Sequence, residues 1–222
     1  MYQRANDALM ALEASALRSR PAPQTDGRAW TTALPRLQAG AWTLRELEAR
    51  DAAALLEDMV PEEVQRFISE PPDSIEGFER FIAWTHRQRE QVVGLVYGIV
   101  PDGSDRVIGI FQLQALSTGW SRAEWGCALA RGHWGTGVFM ASAVAALDFG
   151  FDRLGIERLE ARVAAENSRA ISAIRKLGAR YECVLRQALN RRGVWLDQLL
   201  CTVTHADWRS RDSVRRFLHP VH

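Results

Sequence analysis

The chain is poor in cysteine, in net charge and in long apolar runs, and each shortage removes a class of protein. Its three cysteines, Cys127, Cys183 and Cys201, are an odd number without close spacing, so they spell no disulfide framework. Each lies in a strand-like apolar stretch, which reads as a buried free thiol in a reduced compartment. Basic side chains number 28 against 27 acidic ones, for a formal charge of +1. So small a surplus makes no field that gathers nucleic acid or an anionic membrane. No segment approaches the ~20 apolar residues of a membrane span. Asp7 and Glu13 interrupt the opening residues, where a secretory signal would carry an apolar core. His86, His205, His219 and His222 show no metal-ligand spacing with cysteines or carboxylates. No internal repeat is visible. The expectation is a cytoplasmic protein with no metal, no nucleic-acid partner and no membrane partner.

What is present is ordinary globular content, 47 % hydrophobic and 25 % charged, in a length that suits one domain with an appendage. Residues 1–40 stand apart as an N-terminal extension and linker. Leu9, Leu12 and Leu17 lie partly on one side of a short helix, and 18–27 are rich in turn formers. The domain is expected over 41–208, with 209–222 as a C-terminal tail. Residues 41–47 alternate as a strand does, and Asp51 suits the N-cap of a helix running through Leu56 and Met59. Ile75, Phe78, Phe81 and Trp84 recur at spacings of three in a second helix over 74–89.

The period then changes. Segments 91–100, 106–116 and 122–130, separated by turn signals, read as an antiparallel meander. A helix follows over 135–151 whose polar residues are only Thr136, Ser142 and Asp148, so it should be covered on most sides. Residues 158–164 alternate with Leu159, Ala161 and Val163 on one face. Asn167 can cap the next helix, whose stripe is Ala170, Ile171, Ile174 and Leu177, with Gly178 at its end. A hairpin of 181–189 and 194–204 closes the chain. This order describes one α/β domain with a mixed sheet.

The stretch from Glu124 to Val138 carries the chemistry. A strand feeds a short glycine loop, Trp134-Gly135-Thr136-Gly137, that opens the apolar helix. Such a loop aims backbone N–H groups and the positive end of a helix dipole at one place, a site for a pyrophosphate. Glycine lets the backbone approach the phosphates. Asn167 with Lys176-Leu177-Gly178 follows at the next helix, then Val184-Leu185-Arg186, Gly193-Val194-Trp195, Asp197 and Asp207-Trp208.

Together with the strand Ala123-Glu124-Trp125-Gly126, this ordered set resembles the GNAT acetyltransferase superfamily, in its branch acetylating alanine N-termini of ribosomal proteins. The resemblance covers roughly residues 41–208. It implies a mostly antiparallel sheet of about seven strands flanked by helices, with splayed central strands. It also implies acetyl-CoA as donor. The pantetheine arm would lie along Cys127, Ala128 and Leu129, and the pyrophosphate in the loop His133, Trp134, Gly135, Thr136, Gly137 and Val138, with Asn167 bonding the pantetheine region. Three departures stand out. The family loop usually begins with Gln or Arg where this chain has Gly132, leaving Arg131 one place early as a substitute. The tyrosine that often serves as general acid is Ile174, and the serine frequent in the ribosomal branch is Ala170. Ser168, Tyr181 and water remain as proton donors.

Acetyl transfer from a thioester to an amine needs a neutral amine, a held carbonyl and a thiolate that can leave. Glu124 is the candidate base, directly or through water, and a strand N–H near Leu129 the oxyanion donor. Cys127 points to the face opposite Glu124 and reads as a core cysteine. Trp120, Trp125, Trp134 and Trp195 are candidates for walls of the amine pocket, and Asp197 for orienting the substrate. The acceptor expected is a peptide or protein N-terminus on a monomer or homodimer. The alternatives are a small-molecule amine, a non-catalytic acyl-CoA-binding sensor, or a role for 1–40 in assembly.

Overall fold

The computed structural model describes residues 29–210; the short helix expected near the N-terminus lies outside them. One eight-stranded sheet runs in the order β1-β2-β3-β4-β5-β6-β8-β7. Its strands are β1 (Leu37–Ala39), β2 (Trp42–Glu46), β3 (Gly94–Pro101), β4 (Gly109–Ala115), β5 (Arg122–Leu129), β6 (Arg158–Ala164), β7 (Arg180–Arg191) and β8 (Val194–Thr204). Every neighbouring pair is antiparallel except β5–β6. The helices are α1 (Ala52–Met59), α2 (Glu62–Gln65), α3 (Ile75–Glu90), α4 (Val138–Arg153), α5 (Ser168–Leu177) and α6 (His205–Arg209).

The sheet has eight strands, against the expected count of about seven, and β1 lies ahead of residue 41. Gly40, at φ +65, turns the chain back so that β1 pairs with β2. Ahead of it, Trp30 and Leu34 are buried in the main core, Trp30 edge-on to Trp120 at 5.9 Å between ring centroids. Residues 29–40 therefore belong to the fold. Three residues are too few to show an alternating pattern, which is why β1 escaped notice.

Two hydrophobic layers sandwich the sheet. On one face α4 packs with Leu95, Tyr97, Phe111, Trp125 and Leu159, joined by Ile174 and Leu177 of α5 and by Trp208. Trp208 also donates its indole N–H to Asp148 at 2.8 Å. The helix apolar all round is covered as expected, from Val138 to Phe151. On the other face α1 and α3 bury Leu55, Met59, Phe78 and Ile82 against Val96, Val100 and Ala128. Ser74 caps α3 through Gly77 N–H, and Asn167 caps α5 through Ala170 N–H at 3.1 Å.

Asp51 precedes α1 as expected but does not cap it with its side chain. Its two oxygens instead accept from the two terminal Arg45 nitrogens, Nη1 and Nη2, at 2.7 and 2.8 Å, and from the Glu48 N–H at 2.8 Å. Both residues are buried, and this bidentate pair fixes β2 to the start of α1. Removing one member of a buried pair strands the other charge. Asp51→Ala should therefore lower unfolding free energy in urea by about 3–5 kcal/mol; a loss below about 1 kcal/mol would contradict the pairing.

Candidate active site

The neighbours β5 and β6 pair over only three residues, Arg122↔Arg158, Ala123↔Leu159 and Glu124↔Glu160, and then diverge. On its other side β5 remains paired with β4 through Gly109↔Leu129. The direction of each β5 backbone group follows from bonds at the strand's two ends. Ala130 N–H donates to Ile108 C=O, and Arg122 C=O accepts from Leu116 N–H. Alternation then turns the even residues of β5, Ala128 among them, toward β4. The Trp125 N–H closes the last bridge to β6 at Glu160, while the Trp125 C=O and the N–H and C=O groups of Cys127 and Leu129 face the gap, where no β6 ladder meets them. Of the three residues expected along the donor edge, Cys127 and Leu129 offer backbone groups to the gap, while those of Ala128 are spent on Ile110.

The gap runs into the glycine loop. Residues Arg131–His133 make a single 3-10 turn, and Trp134 folds back so that its indole N–H donates to Leu129 C=O at 3.0 Å. Thr136 Oγ1 donates to His133 C=O at 2.9 Å, closing the loop. Gly135 and Gly137 have φ of +78 and +93, a region that costs a side-chain-bearing residue about 1–2 kcal/mol. These two conformations also explain why α4 begins at Val138 rather than 135.

Gly137 stands at the N-cap of α4 and supplies no side-chain cap, so first-turn N–H groups of a 16-residue helix are left to an external acceptor. A Cβ built on Gly132, Gly135 or Gly137 meets nothing within 4 Å. The loop thus presents bare amides to open space, the shape and polarity that a pyrophosphate requires. Asn167 spends Oδ1 on its helix cap, which leaves its Nδ2 group to donate.

Glu124 lies at the vertex of the split, on the last paired residue of β5. Its carboxylate forms an ion pair with Arg162 of β6. Beside it, Glu160 is buried, accepting from Arg122 at 2.6 Å and Arg158 at 3.1 Å. Burial opposes its charge, yet these two guanidinium groups prevail and hold the Glu160 carboxyl below the usual carboxylate range. A row of alternating charges therefore lines this face of the vertex. Sequence reading missed Arg162, although the alternation of Leu159, Ala161 and Val163 already put it on the opposite face. It missed Arg169 too, whose guanidinium sits 3.9 Å over the Trp134 ring, because the two are brought together only by tertiary packing.

Other expected residues lie elsewhere. Trp120 is buried at the opposite end of β5 from the loop, its indole N–H donating to Val92 C=O, and Trp125 is stacked on Phe111 with Phe139 tilted against it. Trp134 alone of the four tryptophans lies in the loop; Trp195 is exposed on β8, and Asp197 accepts from Gln187 N–H within the hairpin. Ile174 is a core residue. Tyr181 is on β7, three strands from β5, roughly 14 Å across the sheet, too far to protonate a thiolate in the gap. Ser168 is exposed at the start of α5. Among the described residues, no group of three or more His, Cys, Asp or Glu could hold a metal ion, and no helix is long and apolar enough to cross a membrane.

The cysteines divide. All are free thiols, but Cys183 is exposed on the edge strand β7, contrary to the expected burial; an edge strand has no further neighbour to cover it. Burial pushes the Cys127 thiol up to about 12, because a thiolate there would lose its hydration. Such a group is no nucleophile near neutrality. Iodoacetamide at pH 8 should therefore label Cys183 well before the half-buried Cys127 or the buried Cys201, as read by mass spectrometry; equal labelling of Cys127 would contradict its raised thiol.

Known proteins share this arrangement. Residues 42–180 match the acetyltransferase (GNAT) domain. The uncharacterised N-acetyltransferase p20 of Bacillus licheniformis is 28 % identical over 156 residues, spanning 70 % of this chain and 88 % of that protein. The structure of Mycobacterium smegmatis RimJ in complex with CoA-disulfide superposes with a TM-score of 0.72 at 22 % identity, covering 82 % of this chain and 91 % of the other. The ribosomal-protein-S5-alanine acetyltransferase of Vibrio fischeri gives 0.69 at 16 % identity, over 78 % and 98 %. The split between β5 and β6, the uncapped glycine loop and the match over most of the domain lead to one conclusion: this chain belongs to the GNAT acetyltransferase family.

Proposed function

We propose that the chain binds acetyl-CoA across the split and moves the acetyl group directly to a primary amine, with a polypeptide N-terminus as the favoured acceptor. One observation carries this reading: the free edge of β5 and the bare amides of the glycine loop are continuous, so one extended ligand can meet both. Acetyl-CoA supplies the activated acyl group. His133, Trp134, Gly135, Thr136, Gly137 and Val138 hold its pyrophosphate, and the backbone of Cys127 and Leu129 takes the pantetheine arm as an extra strand partner. Asn167 adds its amide there. Cys127 N–H faces the gap nearer to Glu124, where it can receive the carbonyl oxygen as charge gathers on it.

Glu124 is the base proposed at the vertex. It accepts a proton from the ammonium, directly or through water, and Arg162 keeps the carboxylate in place. The neutral amine nitrogen then bonds to the acyl carbon, and the carbon–sulfur bond breaks to release the thiolate. The nitrogen's second proton passes to water to leave the neutral amide. Neither Ile174 nor Ala170 can supply a proton to the departing sulfur, so water or Ser168 does so. The free thiols suit a reducing, cytoplasmic setting.

The acceptor follows from the cost of a neutral amine. An α-amine of pKa near 8 is about one tenth neutral at pH 7, about 1.4 kcal/mol uphill, whereas a lysine near 10.4 starts about 4.6 kcal/mol uphill. A site with one carboxylate base and no built-in acid suits the easier amine. The ribosomal-protein acetyltransferase among the similar structures is in keeping with that choice.

Calorimetry with acetyl-CoA, followed by thiol release against a pool of peptides and small amines, tests the proposal. Binding with turnover of peptides supports it, and turnover of small amines alone would redirect the acceptor. Binding without turnover would favour an acyl-CoA sensor, the reading that the absent acid supports. Glu124→Gln should lower kcat roughly 10²-fold at pH 7, with the deficit shrinking above about pH 9, where the α-amine is already neutral. A pH-independent deficit would remove Glu124 from the role of base.

A further inference from the structure

The glycine loop and the two sides of the split are tied to one short segment, α2 and the turn after it, to which acetyl transfer assigns no role. Val64 packs it on the Glu124 face of the sheet, in the layer that contains Ala128. Its polar side chains reach in three directions. Glu63 accepts from Arg131 Nη1 at 2.6 Å, at the head of the glycine loop. Arg66 lies 3.6 Å from Glu166, the neighbour of Asn167. Gln65 accepts from Arg191 at 3.1 Å and Glu62 from Arg192 at 3.2 Å, both at the tip of the β7–β8 hairpin.

These ties differ in kind. Gln65 and Arg191 are buried, at 6 % and 8 % exposure, and Gln65 also donates to Val60 C=O. That side of α2 is fixed. The Arg131–Glu63 pair is open to water, its side chains 70 % and 41 % exposed, and exposed pairs of this sort contribute least. A phosphate, by contrast, draws a guanidinium with both charge and paired hydrogen bonds. Arg131 begins the turn that delivers the glycine loop, so the same cation lies within reach of the carboxylate and beside the phosphate cradle.

Resting on the acetyl-CoA reading, we propose that Arg131 is shared: Glu63 holds it when the donor is absent, and the donor's phosphates take it when they settle on the loop. Glu63 is then a positioning residue that sets donor affinity by competition. Loading the donor cuts the tie between the loop and α2, while the buried Gln65–Arg191 bridge persists. The segment walling the Glu124 face thereby senses whether the donor is present.

Calorimetry with acetyl-CoA on the wild type, Glu63→Gln, Arg131→Gln and the double variant tests this. At low salt Glu63→Gln should bind up to about fivefold more tightly, the range open to an exposed pair. The gain should fade at about 0.5 M salt and be absent in the Arg131→Gln background, which itself binds more weakly than wild type. In parallel, CoA should quicken amide hydrogen exchange over residues 62–66 in the wild type and leave it unchanged in Arg131→Gln. Unaltered or weaker binding by Glu63→Gln, a gain that survives without Arg131, or exchange indifferent to CoA would each overturn the shared-cation proposal. A wild-type chain that takes no acetyl-CoA fails at the earlier step and overturns the functional reading instead.

Discussion

The structure turns on an interrupted sheet. Adjacent strands normally continue pairing because an unpaired peptide group out of water costs free energy that a ladder would recover. Here β5 and β6 share three residue pairs and then part, leaving the Trp125 carbonyl and the outward peptide groups of Cys127 and Leu129 without a strand partner. Trp134 meets only one of these groups, the Leu129 carbonyl. The remaining groups make this edge a receptor for an extended polar chain, much as an edge strand receives a peptide. The glycine loop at its end does the same for phosphate, through amides that no side chain caps.

An interruption in the middle of a sheet persists only if both flanks are held independently. On one side β5 is locked to β4 over seven residue pairs; on the other β6 is locked to β8 over another seven. Below, α4 packs against both flanks through residues such as Trp125 and Leu159. Above, α1 and α3 cover β3, β4 and Ala128, and the hairpin tip reaches back to α2 through Arg191 and Gln65. The charged vertex adds Glu124–Arg162 and the Arg122–Glu160–Arg158 cluster where the strands separate. The split is thus a built feature with firm walls.

Much of this was legible in the order of residues. The β6 boundaries, the α5 cap at Asn167 and its left-handed end at Gly178 follow from alternation and capping, which act over a few neighbouring residues. The parts that escaped are those fixed by distant partners. Asp51 has the residue type of a cap, but Arg45 claims its side chain. Strand β1 exists because β2 and the core under Trp30 receive it. Arg169 over Trp134 and Arg191 on Gln65 join residues far apart in the chain, and no local pattern announces them. The split itself is invisible to periodicity, since each of its strands alternates normally; only resemblance pointed to it.

The most direct measurement is residue-resolved amide hydrogen exchange of the full chain with and without acetyl-CoA. If the interrupted ladder and the bare loop are one binding surface, the amides of Cys127, Leu129 and residues 135–140 should slow together on addition of the donor. Those of β1, β2 and β3 should not change. Protection elsewhere with none along β5 and the loop would contradict the claim that this split receives the donor.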